Sequence, residues 1–461
     1  MVLPHAYITQ MQGLLGEAAA AAFLQSYKEA RTYGLRIHPG KLEPQPDVLR
    51  SIHSLFKLEP VPWCDTGYYY DEFTRPGRHP YHDAGLYYIQ EPSAMSAAEL
   101  LDPQPGETIL DLAAAPGGKS TQIAGKMNGQ GLLISNEIHP ARAKILSENI
   151  ERLGFANTVV TNETPDRLSA RFPEFFDRIL LDSPCSGEGM FRKDPDAVAE
   201  WSPGHVEMCA SRSSDILRHA ALMLKPGGIL VYSTCTFNRS ENESVIEAFT
   251  ASHPAFAIEQ LERIWPHEQR GEGHFVARLR KLDSQAADAK LHHPVSHPAQ
   301  AKGRKGQATA PSAAAELELF LRFAADFAPG FSLSQHGEPV RFGDALYWLP
   351  RDIDKRFTAA SLPGLKLARG GLHLCDIRKN RAEPSHALAK HVSPGDAAWV
   401  QSASADDPDT TAYLRGETIP AGSGCSGWGI VAVDGCPLGW GKANGGQIKN
   451  HYPKGLRRMG V

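Results

Sequence analysis

Net positive charge is missing from this 461-residue chain, in which 48 Lys and Arg stand against 52 Asp and Glu for a formal charge of −4. Nucleic-acid binding therefore cannot rest on a global basic field and has to be sought in local patches. No apolar run reaches eighteen residues and no signal peptide is visible, so no membrane contact is expected. The seven cysteines form no C-x-x-C pair, and no Cys/His cluster has ligand spacing. These absences argue against a structural metal and a disulfide scaffold, and for free thiols in a reducing, cytoplasmic compartment. A monomer is the default, and the length allows two to four domains with ample core.

What is present is organised around Ile109-Leu110-Asp111-Leu112-Ala113-Ala114-Ala115-Pro116-Gly117-Gly118-Lys119-Ser120. Apolar residues run into an acid, then small residues, a proline and two glycines, and a helical pattern follows from Ser120 to Met127. The glycines permit positive φ and let a ligand touch backbone. The turn matches neither G-x-x-x-x-G-K-[ST] nor G-x-G-x-x-G, so it is not a phosphate cradle. About twenty residues on, Leu132 to Glu137 reads as a strand ending in a carboxylate, a placement suited to both hydroxyls of a ribose. A glycine turn and an acid without phosphate chemistry suggest S-adenosylmethionine, although glycine turns follow strands in any α/β protein.

Ahead of this stretch, Ile8 to Tyr27 reads as a helix, Thr32 to Lys41 as a strand with cations at both ends, and Asp47 to Phe56 as a second helix. A small α/β module over residues 1–90 fits, with Tyr68, Tyr69, Tyr70, Arg36, Lys41, Arg75 and Arg78 as candidates to stack on and clamp RNA. Residues 91–280 alternate strand and helix patterns as in a doubly wound, Rossmann-like sheet. Candidate strands are 108–112, 132–136, 158–161, 178–182, 229–233 and 275–280, with helices that include 141–153 and 205–224. Residues 281–315 are rich in Ala, Gln, His, Lys, Pro and Ser and read as a flexible linker. Globular patterning resumes over 316–405, with a helix from Leu317 to Phe327, and 406–461 reads as a compact β module. From Gly439 to Val461 there are five cations, no Asp or Glu, and interleaved Trp440, His451 and Tyr452, the most RNA-like surface in the chain.

The specific chemistry lies in two cysteine turns. Arg178 to Asp182 is a buried strand running into Ser183-Pro184-Cys185-Ser186-Gly187-Glu188-Gly189, and Ile229 to Ser233 runs into Thr234-Cys235-Thr236. Both thiols follow strand carboxyl ends, the ligand edge of an open parallel sheet and the edge of the Gly117 turn. Carbon 5 of cytosine is a poor nucleophile; a thiolate adding to carbon 6 makes it enamine-like and able to take a sulfonium methyl. A second thiol then assists loss of the carbon 5 proton. Asp182, at the pyrimidine edge, can hold or protonate nitrogen 3. A lone Cys is more often a small buried hydrophobe; two in polar turns at one edge make that reading weak.

Together, Asp111 to Lys119, Asp182 to Gly187, and Ser233 to Thr236 followed by Glu241-Asn242-Glu243 resemble the Sun/RsmF-type RNA cytosine-5 methyltransferases. Tyr33 to Arg36 with Lys41 is similar to the family's N-terminal RNA-binding module, and the region past the linker resembles the C-terminal part of its RsmF-type members, ending in a PUA-like RNA module. The resemblance implies that Ala113, Ala114, Ala115, Pro116, Gly117, Gly118 and Lys119 line the cofactor, that Glu137 holds its ribose, and that Arg142 supports Glu137. It implies that Asp182 sits between cofactor and base, that Cys235 is the nucleophile, and that Cys185 helps release product. The family's usual Asp near the adenine is missing, which leaves Thr164 or Glu163 as the substitute.

The expected function is S-adenosylmethionine-dependent methylation of carbon 5 of a cytidine, with 16S rRNA or the small ribosomal subunit as partner. The alternatives are a tRNA cytosine-5 methyltransferase and a non-catalytic RNA-binding ribosome-assembly factor. Cofactor binding and methyl incorporation separate the last from the others.

Overall fold

The computed structural model describes residues 2–283, 313–379 and 381–458. At its centre is a sheet of eight strands: β1 (Thr108–Asp111), β2 (Leu132–Asn136), β3 (Thr158–Thr161), β4 (Phe176–Asp182), β5 (Leu224–Thr234), β6 (Phe256–Ile264), β7 (His274–Lys281) and β8 (Leu367–Gly370). Their spatial order is β6-β7-β5-β4-β1-β2-β3-β8. The five strands from β3 to β5 are parallel, and β7, β6 and β8 run antiparallel to their neighbours. Ile109, Leu110, Leu133, Ile134, Leu180 and Val231 are wholly buried, which explains the unbroken apolar runs of strands covered on both faces. From β1 the chain winds outward through β2 and β3, then returns to β4 on the other side. That reversal opens a crevice at the carboxyl ends of β1 and β4.

The doubly wound reading of the centre holds, with differences at its edges. β6 was not anticipated, because Glu259, Gln260, Glu262 and Arg263 interrupt any apolar period; charged residues of this kind blunt an exposed sheet edge. β8 comes from beyond residue 316 and pairs with β3, so the sheet is completed by a distant segment. The single helix expected over Ile8 to Tyr27 is two, His5–Leu15 and Glu17–Ser26, because Gly16 takes φ +76°. This helical pair packs Tyr7, Met11 and Phe23 against Phe191, Trp201 and Phe237, residues that follow the two cysteine turns. Of the expected linker, residues 284–312 lie outside the described residues, including Lys302, Arg304 and Lys305.

The flanking units share cores with one another. Leu35 and Tyr87 from the N-terminal four-stranded sheet and Ile52 and Phe56 from helix Pro46–Phe56 pack with Tyr413, Leu438, Ile448 and Tyr452 near the C-terminus. Ile430 and Trp440 of the C-terminal five-stranded sheet pack with Phe320, Ala324 and Phe327 of helix Ala313–Phe327. Several residues expected to face RNA are therefore structural. Trp440 and Tyr452 are core, because a large aromatic whose polar atom finds a backbone partner is stable inside: Trp440 Nε1 donates to Ser385 O at 2.7 Å. Arg458 pairs with Asp83, and Lys41 turns inward to donate to Ala84 O at 3.0 Å. Arg36 is buried and donates to Gln90 Oε1, Gly118 O and Thr121 Oγ1, which straps the N-terminal sheet to the glycine turn.

Candidate active site

The turn after β1 is shaped by backbone requirements. Gly117 has φ +114°, a conformation side chains resist, and an added Cβ would lie 3.1 Å from Leu146 Cδ1. Helix Gly118–Lys126 starts immediately after it. Neighbouring side chains take the turn's carbonyls: Arg142 donates to Ala115 O at 2.8 Å and Asn149 to Pro116 O at 2.9 Å. Ala113, Ala114 and Ala115 complete a strip with little side chain between β1 and the glycines. Asn136 ties the ends of three strands together, donating to Leu112 O and Glu163 O and accepting from Thr161 Oγ1 and Glu163 N.

Glu137, at the end of β2, is buried; its Oε1 accepts from His139 N at 2.9 Å, and Oε2 lies 3.4 Å from Arg142 Nη1. Arg142 thus touches both the glycine turn and the acid. Glu163 is buried with both oxygens engaged, one by Lys366 N and one by Arg167 Nε, each at 2.8 Å. A carboxylate so committed to holding the entry to β8 is poorly placed to read an adenine. Thr164 is exposed at the N-terminus of helix Pro165–Arg171.

Across the crevice, Lys119 Nζ lies 2.7 Å from Asp182 Oδ2, with the lysine side chain 10% and the carboxylate 33% exposed. Ser233 Oγ donates to Asp182 Oδ1 at 2.8 Å. Burial by itself would raise the Asp182 carboxyl, but the Lys119 charge, then His274 and the hydrogen bonds, hold it below the usual carboxylate range. For Lys119, burial by itself would lower the ammonium, and the Asp182 charge and hydrogen bond outweigh it and hold it above its ordinary value. The result is a carboxylate and an ammonium at neutral pH. His274, at the start of β7, is a member of the cluster that the sequence did not signal. Its Nε2 lies 3.8 Å from Asp182 Oδ1, and burial, helped by Lys119, pushes the imidazole down to about 4, so it is neutral here.

The two cysteine turns meet. Cys185 Sγ and Cys235 Sγ are 3.4 Å apart, both as free thiols and both partly accessible. The shared hydrogen bond with Cys235, then burial, holds the Cys185 thiol well above its usual range. Two buried carboxylates fix this geometry. Glu241 accepts from Ser186 N at 2.7 Å, Ser186 Oγ at 2.5 Å and Asn238 Nδ2 at 2.5 Å. Glu188 accepts from Phe237 N and Asn238 N on one oxygen, and from Trp201 Nε1, Asn238 Nδ2 and Gln10 Nε2 on the other. Ser186 and Thr236 hydroxyls, 2.9 Å apart, add a direct link between the turns. Neither glutamate had a role readable from spacing; only the run Glu241-Asn242-Glu243 marked its neighbourhood.

Asp111, at the end of β1, is wholly buried with Oδ1 unpartnered and Oδ2 accepting from Ser120 Oγ at 2.6 Å. Burial is the main reason its carboxyl is pushed up to about 7. A carboxyl raised on folding keeps its proton in the native state, so its contribution is present below its unfolded pKa and is lost as pH rises through 7. Thermal unfolding of Asp111→Asn is expected to lose less stability than wild type between pH 5 and pH 8. Parallel pH curves for the two proteins would refute this assignment.

Among the described residues, no group of three or more His, Cys, Asp or Glu forms a metal site, and no helix is long and apolar enough to cross a membrane. Four sequence-family profiles match in tandem. They are the N-terminal domain of 16S rRNA methyltransferase RsmF (residues 3–92), 16S rRNA methyltransferase RsmB/F (98–280), the RsmF rRNA methyltransferase first C-terminal domain (322–391) and the methyltransferase RsmF PUA domain (401–458). Ribosomal RNA small subunit methyltransferase F of Shewanella amazonensis is 33% identical over 93% of this chain and 92% of its own length. The protein of that name from Vibrio vulnificus is 32% identical over 99% and 98%. A methyltransferase homolog from Pyrococcus horikoshii superposes with a TM-score of 0.53 at 28% identity, over 60% of this chain and 95% of that one. NSun6 from Pyrococcus horikoshii, solved with SFG, gives 0.54 at 21% identity, over 61% and 98%, which speaks to the fold. With a shared catalytic sheet, matched flanking units and full-length relatives, this chain belongs to the ribosomal RNA small subunit methyltransferase F family.

Proposed function

We propose that this protein methylates carbon 5 of a cytidine in 16S rRNA, using S-adenosylmethionine and a covalent Cys235–cytosine intermediate. The observation that carries the reading is the pair of free thiols 3.4 Å apart beside the Lys119–Asp182 pair. An exocyclic-amine methyltransferase has no use for a second thiol, whereas addition and elimination at a pyrimidine do.

The residues fit the cofactor. Backbone left open by Gly117 and the alanines, and a buried acid that takes hydroxyl donors at Glu137, suit a nucleoside without phosphates. Ala113 to Lys119 would hold the methionine and ribose side, Glu137 the ribose hydroxyls, Arg142 the acid, and Thr164 the adenine side.

Cys235, as thiolate, adds to carbon 6 of the flipped-out base, forming an S–C6 bond as the C5–C6 π pair moves toward the ring nitrogen. S-adenosylmethionine, when bound, supplies an electrophilic methyl group to the carbon 5 thus made enamine-like. Lys119, as ammonium, meets the negative charge that develops on the ring. Asp182, as carboxylate, holds the base by accepting from it; it is not the acid that protonates nitrogen 3, since its proton is lost well below neutral pH. With Cys235 bound to carbon 6, the hydrogen bond that chiefly holds the Cys185 thiol up is gone; Cys185 gives its own proton to water and, as thiolate, takes the carbon 5 proton. The C5–H pair re-forms the double bond, the S–C6 bond breaks, Cys235 leaves as thiolate, and Cys185, holding the carbon 5 proton, is a thiol again. One proton is released per methyl transferred.

The rRNA target, over tRNA, is favoured by the relatives of matching length, which are named as small-subunit rRNA methyltransferases. The test is bisulfite mapping of 16S rRNA and tRNA from cells lacking the gene, complemented with wild type or Cys235→Ala. One protected cytidine in 16S rRNA is expected to vanish and to return only with wild type. A full set of protected 16S cytidines in the deletion, or label from tritiated donor on an exocyclic amine, would overturn the proposal.

A further inference from the structure

The flanking units hold a second feature that the chemistry does not use. A cleft of about 610 Å³ lies between helix Ala313–Phe327, the strand Arg381–Pro384 and the C-terminal five-stranded sheet. We propose that this cleft binds one unstacked nucleotide of single-stranded RNA, with its base on Trp428 and its phosphates on Lys442, Lys449, Arg381 and Arg322. The inference rests on RNA being the substrate class and names where, away from the thiols, the chain grips it.

Strand register supplies the first argument. Trp428 pairs with Lys442, and Lys442 with Lys449, across three adjacent strands. Ala443 and Ile448, on the opposite face, are buried; on the row's own face helix Ala313–Phe327 covers Ile430 and Trp440, and the Trp–Lys–Lys row lies past that cover, with both lysines exposed. Like charges directly opposite each other cost stability, and an anion between them removes the cost. Among the described residues, neither lysine, nor Arg322 or Arg381, lies within ion-pairing distance of a carboxylate. Asp326 and Glu383 also line the cleft, and Glu383 faces His451 at 3.6 Å. Four cations against two acids leave a local positive field in a chain whose net charge is −4.

Aromatic geometry supplies the second. The Lys442 ammonium lies 5.4 Å from the Trp428 ring centroid, and the His451 ring is 4.3 Å from it at 55°. Burial, chiefly, lowers the His451 imidazole, so this partner is neutral. Trp428 is half-exposed, and Phe323 forms the facing wall. Apolar ring faces beside unpaired cations are the elements that hold single strands by stacking and phosphate contact. The walls do not move independently: Phe327 meets Trp440 edge to face at 5.0 Å, and both belong to one core.

The test is fluorescence anisotropy of the full-length protein with a fluorescein-labelled single-stranded oligoribonucleotide, run across a salt series. Trp428→Ala is expected to weaken binding about 5- to 100-fold, with Trp428→Phe restoring most of it. Lys442→Glu/Lys449→Glu is expected to reduce the slope of log affinity against log salt by about 1.4, two single-strand phosphate contacts. Unchanged affinity in these variants would overturn the proposal. So would Trp428→Ala that weakens polyglutamate binding but not RNA binding, which would mark an acidic protein partner. Adduct formation in a Cys185→Ala background keeps the two readings apart. Adduct with unaltered affinity of the cleft variants defeats the cleft alone; no adduct with weakened affinity defeats the methylation scheme alone.

Discussion

Cys185→Ala is expected to accumulate a covalent protein–RNA complex that survives denaturing electrophoresis, while Cys235→Ala forms neither complex nor methylated product. The asymmetry follows from the order of steps. Alanine at 235 removes the nucleophile, so carbon 5 is never activated and transfer falls to the detection limit. Alanine at 185 leaves addition and methyl transfer intact but removes the base for the carbon 5 proton. Losing a positioned general base costs about 10²–10⁴-fold, which is enough for the adduct to outlive the assay. The Sγ–Sγ distance of 3.4 Å is short enough for the two thiols to serve adjacent ring carbons in the proposed scheme. The double variant is expected to behave as Cys235→Ala, because elimination cannot matter without addition. Full turnover by either single variant, or an adduct in Cys235→Ala, would end the two-thiol scheme. Cofactor binding and Tm should be unchanged in both, since neither thiol takes part in the Glu188 and Glu241 bracing.

Much of this was readable before any coordinates, for a physical reason. Parallel strands covered on both faces leave continuous apolar runs, and their carboxyl ends define the ligand edge, so Gly117, Glu137, Asp182, Cys185 and Cys235 had to share one rim. The Cys185–Cys235 contact, the Lys119–Asp182 pair and the Arg142 bridge from Glu137 to Ala115 O add what spacing does not carry. His274 was invisible because β7 returns antiparallel, bringing its first residue to the rim from the far end of the chain's path. Lys119 read as part of the cofactor turn, whereas its ammonium reaches across to Asp182. The misreadings at the C-terminus have one cause. Trp440 and Tyr452 look like stacking platforms in a sequence, but two units share a core there and bury them. Trp428 and Trp440 share one face of the sheet; helix Ala313–Phe327 covers Trp440 and leaves Trp428 partly open, a difference no strand pattern carries.

The largest stability effect is expected at Glu188, a residue without a place in the chemistry. Its side chain is wholly buried and accepts five hydrogen bonds, from the backbone of Phe237 and Asn238 and the side chains of Asn238, Trp201 and Gln10. Those donors come from the N-terminal helix, the segment after Cys185 and the turn after Cys235, so one carboxylate holds three pieces of chain in register. Glu188→Gln is nearly isosteric, yet whichever way the amide is turned its NH₂ faces N–H donors. At least two buried donors then lose their partner, at about 1–3 kcal/mol each. A fall in Tm of about 5–10 °C is expected. Loosening the turns also lets the sulfurs drift, and a misplacement of about 1 Å costs on the order of 10²-fold in rate. Glu188→Ala, which admits water to the gap, is expected to lose as much activity but to differ from Glu188→Gln in stability. Gln10→Ala removes only the most distant donor and should be nearly silent in both assays. If Glu188→Gln keeps wild-type Tm and turnover, the thiols are positioned by their own strands and the brace is incidental. If turnover falls with Tm unchanged, the carboxylate acts on the sulfurs through geometry alone, and the Cys185→Ala adduct should then form more slowly in a Glu188→Gln background.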